Sequence, residues 1–291
     1  MPIVQQVNPV EFERPEFQSA LNNFSNVYLA EGDSWFSFGS EKFKNLLTFL
    51  ALPSPACALN IAEPGDTLRR MEHITANPEF FYYLANRGGR RWNAIFLSGG
   101  GNDLIDATWD QNEQRSYILK RPTDPSSIDA TNLRSVIDRD ALDALLKYIR
   151  INVTHIVTSR DRRGSNSRGV PIFMHTYALP RPRDAGVDVL GIKRGPWLFP
   201  ALTWLGIDEA LWLDLSRILL GELAACLKSL ALPNLHVVDT LSRTTTMVPA
   251  AAGTTGDSND WENEIHPNAS GYTKLAATWA ADISSPSLAP T

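Results

Sequence analysis

Only two cysteines, Cys57 and Cys226, occur in the 291 residues. A disulfide scaffold needs a dense set of cysteines, and a zinc site needs them clustered with histidine at short spacing. Neither pattern is present. Each cysteine lies in an apolar run, so both read as buried, reduced thiols. No apolar run approaches the roughly 20 residues that span a bilayer. Positive charge is not in excess: 27 Lys and Arg stand against 32 Asp and Glu, a formal net charge of -5. That removes any general pull toward nucleic acid or an anionic membrane. Residues Met1 to Arg14 lack a basic start followed by an apolar stretch, so no secretory signal is expected. The expectation is a cytoplasmic protein, or one exported without a cleaved signal.

What remains is ordinary for a globular chain. The hydrophobic share is 43% and the charged share 20%, enough for a full core without staples. Short apolar runs alternate with longer helical patterns. Strands are predicted at Val27–Ala30, Ala56–Ile61, Ala94–Ser98, Pro171–His175 and His236–Asp239. Each is near-continuously apolar, as strands covered on both faces are. Helices are predicted at about 40–50, 66–87, 138–156, 208–231 and 270–283 from the apolar period. Alternating strand and helix implies a parallel sheet with helices on both faces, in one domain covering 1–291. Two polar or proline-rich stretches, near 104–135 and 178–207, read as insertions at the active-site end of the sheet.

The chemistry concentrates at strand ends. Gly32-Asp33-Ser34-Trp35 follows the first strand, where an α/β domain exposes its functional groups. Gly100-Gly101-Asn102-Asp103 follows the third, and His266-Pro267-Asn268 lies near the C-terminus. A hydroxyl nucleophile, an amide donor and an imidazole base are the components of acyl transfer. Gly99-Gly100-Gly101 lacks the Gly-Lys-Ser/Thr ending and the dinucleotide spacing, so it is not a phosphate loop. Asp33, Asp66 and Asp103 read as turn or cap residues. The basic loop Arg160–Arg168 reads as solvated, or as an anion contact on the substrate. His73, His155 and His236 read as structural. No His, Cys and Asp cluster at ligand spacing, so no metal and no cofactor is expected.

In this order the blocks resemble those of the SGNH hydrolase superfamily, the GDSL-type esterases and lipases. The serine block is similar to Gly32-Asp33-Ser34-Trp35, with Trp35 where leucine is common. The glycine block resembles Glu63-Pro64-Gly65-Asp66, the asparagine block Gly100-Gly101-Asn102-Asp103, and the histidine block His266-Pro267-Asn268. The resemblance implies a three-layer α/β/α sandwich, flavodoxin-like, on a five-stranded, mostly parallel sheet. It implies Ser34 as nucleophile, His266 as base, and an oxyanion hole from the N–H of Ser34, the N–H of Gly65 and the side-chain amide of Asn102.

One position departs from the pattern. The family has an acidic residue three places before the histidine, where this chain has Asn263. An amide carbonyl accepts the imidazole N–H but supplies no charge. Asn263 and then Asp260 are the candidates to orient His266, with Glu262 and Glu264 also possible substitutes and an unassisted Ser–His dyad as the remaining case. Trp35 and Trp109, each near a block, are candidates for an apolar acyl pocket or a sugar-stacking face. His175 and Tyr177, at the end of the fourth strand, are candidates to line the cleft, with a satisfied core histidine the commoner reading of His175.

The expected substrate is a small-molecule or carbohydrate ester, with short acyl or O-acetyl groups favoured because no long apolar lid helix is evident. A lipase or phospholipase, an acyltransferase on the same fold and a non-catalytic binding module are the alternatives. A binder has no physical need of an oxyanion hole, which weighs against the last.

Overall fold

The computed structural model describes residues 1–37, 44–85, 91–189 and 192–285. Strands β1 (Gln5–Val7), β2 (Asn26–Gly32), β3 (Ala56–Asn60), β4 (Ala94–Ser98), β5 (Ile172–His175), β6 (Val187–Val189), β7 (Ile192–Arg194) and β8 (Leu235–Val238) appear in chain order. Helices α1 (Pro9–Phe12), α2 (Pro15–Ala20), α3 (Leu68–Glu72), α4 (Pro78–Leu84) and α5 (Gly101–Thr108) fall in the first half. They are followed by α6 (Arg139–Asp161), α7 (Phe199–Leu205), α8 (Trp212–Lys228), α9 (Thr240–Arg243) and α10 (Ala269–Ile283).

Six strands form one sheet in the order β1-β3-β2-β4-β5-β8. All its pairings are parallel. The five strands β3-β2-β4-β5-β8 have the doubly wound order in which neighbours of β2 run outward in both directions, so the crevice at the end of β2 is the topological switch point. Burial explains the sequence of these strands. Every residue of β3, β4 and β5 is buried, as helices on both faces require. One helical layer is built from α3, α4, α5, α6 and α8, which pack on one another, and α10 packs with α9 and β8 on the other side.

The long helices follow amphipathic logic. In α6 the side chains of Leu142, Leu146, Ile149, Val153, Ile156 and Val157 are buried, and Asp138 caps the start by accepting from the Ala141 N–H. In α10 Tyr272, Leu275, Ala276 and Trp279 face inward, and Asn268 caps the start through the Gly271 N–H.

The sheet has six strands where five were expected. The extra one, β1, is three residues long and carries two glutamines; only its pairing with β3 makes it a strand. The single helix expected at 66–87 is two, α3 and α4, because Asn77 caps a new start and Pro78 begins it. Of the helix expected at 40–50, residues 40–43 lie outside the described residues and Leu46–Phe49 is a 3-10 turn. The segment near 178–207 contains the antiparallel pair β6 and β7 and then α7. The segment near 104–135 begins inside α5 and continues through short turns.

Arg160, expected in a solvated loop, is fully buried at the end of α6. It donates to the carbonyls of Val170 and Pro233 at 2.8 and 2.7 Å and pairs with Asp161 at 2.5 Å, so its work is structural.

Candidate active site

The site lies at the switch point. Ser34 follows β2 on a turn fixed by Asp33, whose carboxylate accepts the Trp35 N–H at 3.0 Å while the Asp33 carbonyl accepts from Phe36. From the far end of the chain, the loop before α10 brings His266 to it. The His266 Nε2 lies 2.7 Å from the Ser34 Oγ.

The orientation of that imidazole is settled by its other nitrogen. His266 Nδ1 lies 3.0 Å from the Asn263 Oδ1. The same oxygen accepts the backbone N–H of His266 at 2.9 Å and of Ile265 at 3.1 Å. Two backbone donors can be satisfied only by the amide oxygen, so the Asn263 NH2 cannot face the ring. The oxygen therefore takes a proton from Nδ1, and the lone pair of Nε2 points at the serine hydroxyl. Burial holds the His266 pKa down at about 4. The ring is neutral across the neutral range.

Asp260 does not reach the imidazole. Its carboxylate pairs with Lys274 at 2.6 Å and accepts from the Val248 N–H and the Ser270 hydroxyl. It anchors the histidine loop to α10. Glu264 anchors the other side. Fully buried, it accepts the backbone N–H of Leu198 at 2.9 Å and of Phe199 at 2.7 Å, and also those of Trp197 and Arg183. Burial pushes its pKa up to about 7 against those hydrogen bonds. This clamp sets the Trp197 ring edge-on to His266, with centroids 5.4 Å apart.

The glycine and asparagine blocks meet beside the serine. Gly65 has φ +85°, a conformation that costs glycine little and other residues strain. Asn102, in the first turn of α5, donates its amide to the Asp66 carbonyl at 3.0 Å. Asp103 accepts the Leu68 N–H at 3.0 Å. It thus ties α5 to the segment after Gly65. Among the described residues no protein acceptor engages the N–H of Ser34 or of Gly65.

The four blocks lie at one end of a doubly wound parallel sheet flanked by helices, a three-layer α/β/α sandwich. No protein-family model matches the chain, and no curated protein is similar to it. Solved structures are similar in fold. An extracellular lipase from Streptomyces rimosus is 14% identical, with 90% of this chain and 100% of that one covered and a TM-score of 0.49. A lipase from a goat rumen metagenome is 13% identical, with coverages of 88% and 97% and a TM-score of 0.46. An acetylxylan esterase from Geobacillus stearothermophilus is 14% identical, with coverages of 90% and 95% and a TM-score of 0.45.

A cleft of about 40 Å³ opens beside Ser34 and Asn102. Its walls include Leu104 and Ile105 of α5, Leu198, Leu219 and Leu220 of α8, and Ile265. Trp35 and Tyr177 also line it, though both are largely buried. Trp109 does not: it packs in the core against Trp204, with centroids 6.0 Å apart. His175 does not line it either. It is fully buried beneath the site, with Nε2 2.8 Å from the Ser98 Oγ. Among the described residues no helix is long and apolar enough to cross a membrane, and no group of three or more His, Cys, Asp or Glu is placed to hold a metal ion.

Proposed function

We propose that the chain is a serine ester hydrolase acting through an acyl-enzyme on short-chain acyl esters. The observation that carries this reading is the relay from Ser34 Oγ to His266 Nε2 and from His266 Nδ1 to Asn263 Oδ1, at 2.7 and 3.0 Å. In the first half-reaction the Ser34 oxygen attacks the ester carbonyl as its proton passes to Nε2. The tetrahedral oxyanion is held by the N–H groups of Ser34 and Gly65 and by the Asn102 amide. Collapse breaks the bond to the alcohol, which leaves with the proton from Nε2. Water then repeats the sequence on the acyl-enzyme, releasing the acid and restoring the serine hydroxyl.

The cleft favours short acyl groups. One water needs about 10–15 Å³ of such space, so a cavity of about 40 Å³ takes roughly three small groups. Its walls are hydrocarbon, which suits an acyl chain of two to four carbons better than a charged or sugar acid. The alcohol side is open in this reading, and a carbohydrate O-acetyl ester fits it. We also take the chain as one domain over 1–291, with the segments near 104–135 and 178–207 as insertions. Both contribute to the site, through Leu104 and Ile105 in one and Leu198 in the other.

A panel of p-nitrophenyl esters from acetyl to octanoyl, run on the wild type and on Ser34→Ala, tests the reading. Turnover that peaks at short chains and vanishes in Ser34→Ala is expected. Turnover that survives in Ser34→Ala defeats it. An acyltransferase would instead yield a new ester when an alcohol or sugar acceptor is added.

A further inference from the structure

Beneath Ser34 lies a buried network that the acyl-transfer scheme does not use. Asp33, Ser98, His175 and Tyr177 are each 5% exposed or less. Their hydrogen bonds have only one consistent direction. The Tyr177 N–H donates to His175 Nδ1 at 3.2 Å, so that nitrogen carries no proton. Burial keeps the ring neutral, which places its proton on Nε2. Nε2 donates to the Ser98 Oγ at 2.8 Å, and Ser98 donates onward to the Asp33 Oδ1 at 2.7 Å. The Tyr177 hydroxyl donates to the other carboxylate oxygen, Oδ2, at 2.5 Å, and itself accepts the Gly101 N–H at 3.0 Å. Asp33 precedes the nucleophile, and Gly101 precedes the oxyanion donor Asn102.

We propose that Tyr177 and His175 are positioning residues that hold the Ser34 turn and the start of α5 in one register through the Asp33 carboxylate. The inference rests on the reading of Ser34 as nucleophile. Three strand ends converge here: β2 leads into Asp33, β4 carries Ser98 and leads to Gly101, and β5 carries His175 and leads to Tyr177. The backbone at Tyr177 has φ +63°, a region that a bulky side chain occupies only when its surroundings demand it. That turn lays the ring directly on Gly101. A Cβ at 101 would sit 2.7 Å from the tyrosine ring, so only glycine admits the contact. The hydroxyl is thereby fixed between two loops that each contribute one part of the reacting centre. Displacement of a reacting group by about 1 Å costs about 100-fold in rate, and a shared carboxylate suppresses such displacement.

The test is hydrolysis of p-nitrophenyl butyrate by Tyr177→Phe and Ser98→Ala, with active sites counted by fluorophosphonate labelling carried to completion. Tyr177→Phe removes the donor to Asp33 and the acceptor for Gly101. Ser98→Ala severs His175 from Asp33. We expect kcat per labelled site to fall by about 10- to 100-fold in Tyr177→Phe, with KM changed far less, and to fall in the same direction in Ser98→Ala. A purely structural role lowers Tm and the number of labelled sites but leaves kcat per site alone. Full kcat per site in both variants overturns the proposal; if Tyr177→Phe does not fold, Ser98→Ala decides by the same criterion. Ser34→Ala in the same assay separates the two levels. Activity retained there defeats the hydrolase reading, whereas an inactive Ser34→Ala beside unaffected Tyr177→Phe and Ser98→Ala defeats only the positioning role.

Discussion

Replacing Asn263 by aspartate should move the acid limb of catalysis. The two side chains have the same shape, and a carboxylate oxygen at 263 keeps the backbone donors of Ile265 and His266. What changes is the charge, introduced about 3 Å from His266 Nδ1, by the contact that the amide makes. An opposite charge at this range raises an imidazole pKa by about 1–3 units, or about 1.4–4 kcal/mol in favour of the imidazolium. The wild-type ring titrates at about 4; a rise of about two units brings it to about 6. The base must be unprotonated, so activity is lost as pH falls through this pKa. At pH 5 the wild type then keeps about nine-tenths of its base and the variant about one-tenth. The assay is kcat/KM for p-nitrophenyl butyrate from pH 4 to 9, which reports the free enzyme. A limb that moves upward in Asn263→Asp supports the relay. A limb that stays in place refutes it, because a new charge in contact with the catalytic base cannot leave its titration unchanged.

Three further outcomes follow from the same geometry. Asp260→Asn breaks the pair with Lys274 and should lower Tm in a thermal melt while leaving the acid limb where it is; a shifted limb would restore Asp260 as a partner of His266. Asn102→Ala should cost about 10²–10³ in kcat, the usual loss for one oxyanion donor, read from steady-state kinetics on an activated ester. Leu220→Ala widens the acyl cleft, so the chain-length optimum should lengthen in an ester panel, at a stability cost of about 2–5 kcal/mol for a buried leucine measured by urea denaturation.

The parts of the molecule legible in the sequence are those set by local pattern. β2, β3, β4 and β5 are apolar runs because helices cover both faces, and runs of that kind stand out without any knowledge of pairing; β8, half-buried at the sheet edge, still carries a short apolar run. β1 has no such pattern: Gln5 and Gln6 become strand only through the parallel register with Cys57 and Ala58. The Asn77-Pro78 restart that divides α3 from α4 was written in the residues, as a cap followed by a proline, but a continuous apolar period obscures it. In the site, Ser34, Gly65, Asn102 and His266 announce themselves by motif. Asn263 over Asp260 could not be decided from spacing, because the choice depends on the backbone donors that pin one oxygen and on the lysine that takes the other carboxylate. Asp33 reads as a turn residue, and it is one. Its second role depends on Ser98 and Tyr177, 65 and 144 positions away, a distance no local signal spans. His175 and Trp109 carry side chains suited to a cleft, yet both are core, since sequence does not say which way a strand end or a helix end turns its side chain.

The central claim is that His266 activates Ser34 for attack, and a fluorophosphonate reads that most directly. Treatment followed by peptide mass analysis should place a single adduct on Ser34, with labelling greatly slowed in His266→Ala and absent in Ser34→Ala. An unmodified Ser34 in folded protein, or an equal labelling rate without the imidazole, would contradict the account.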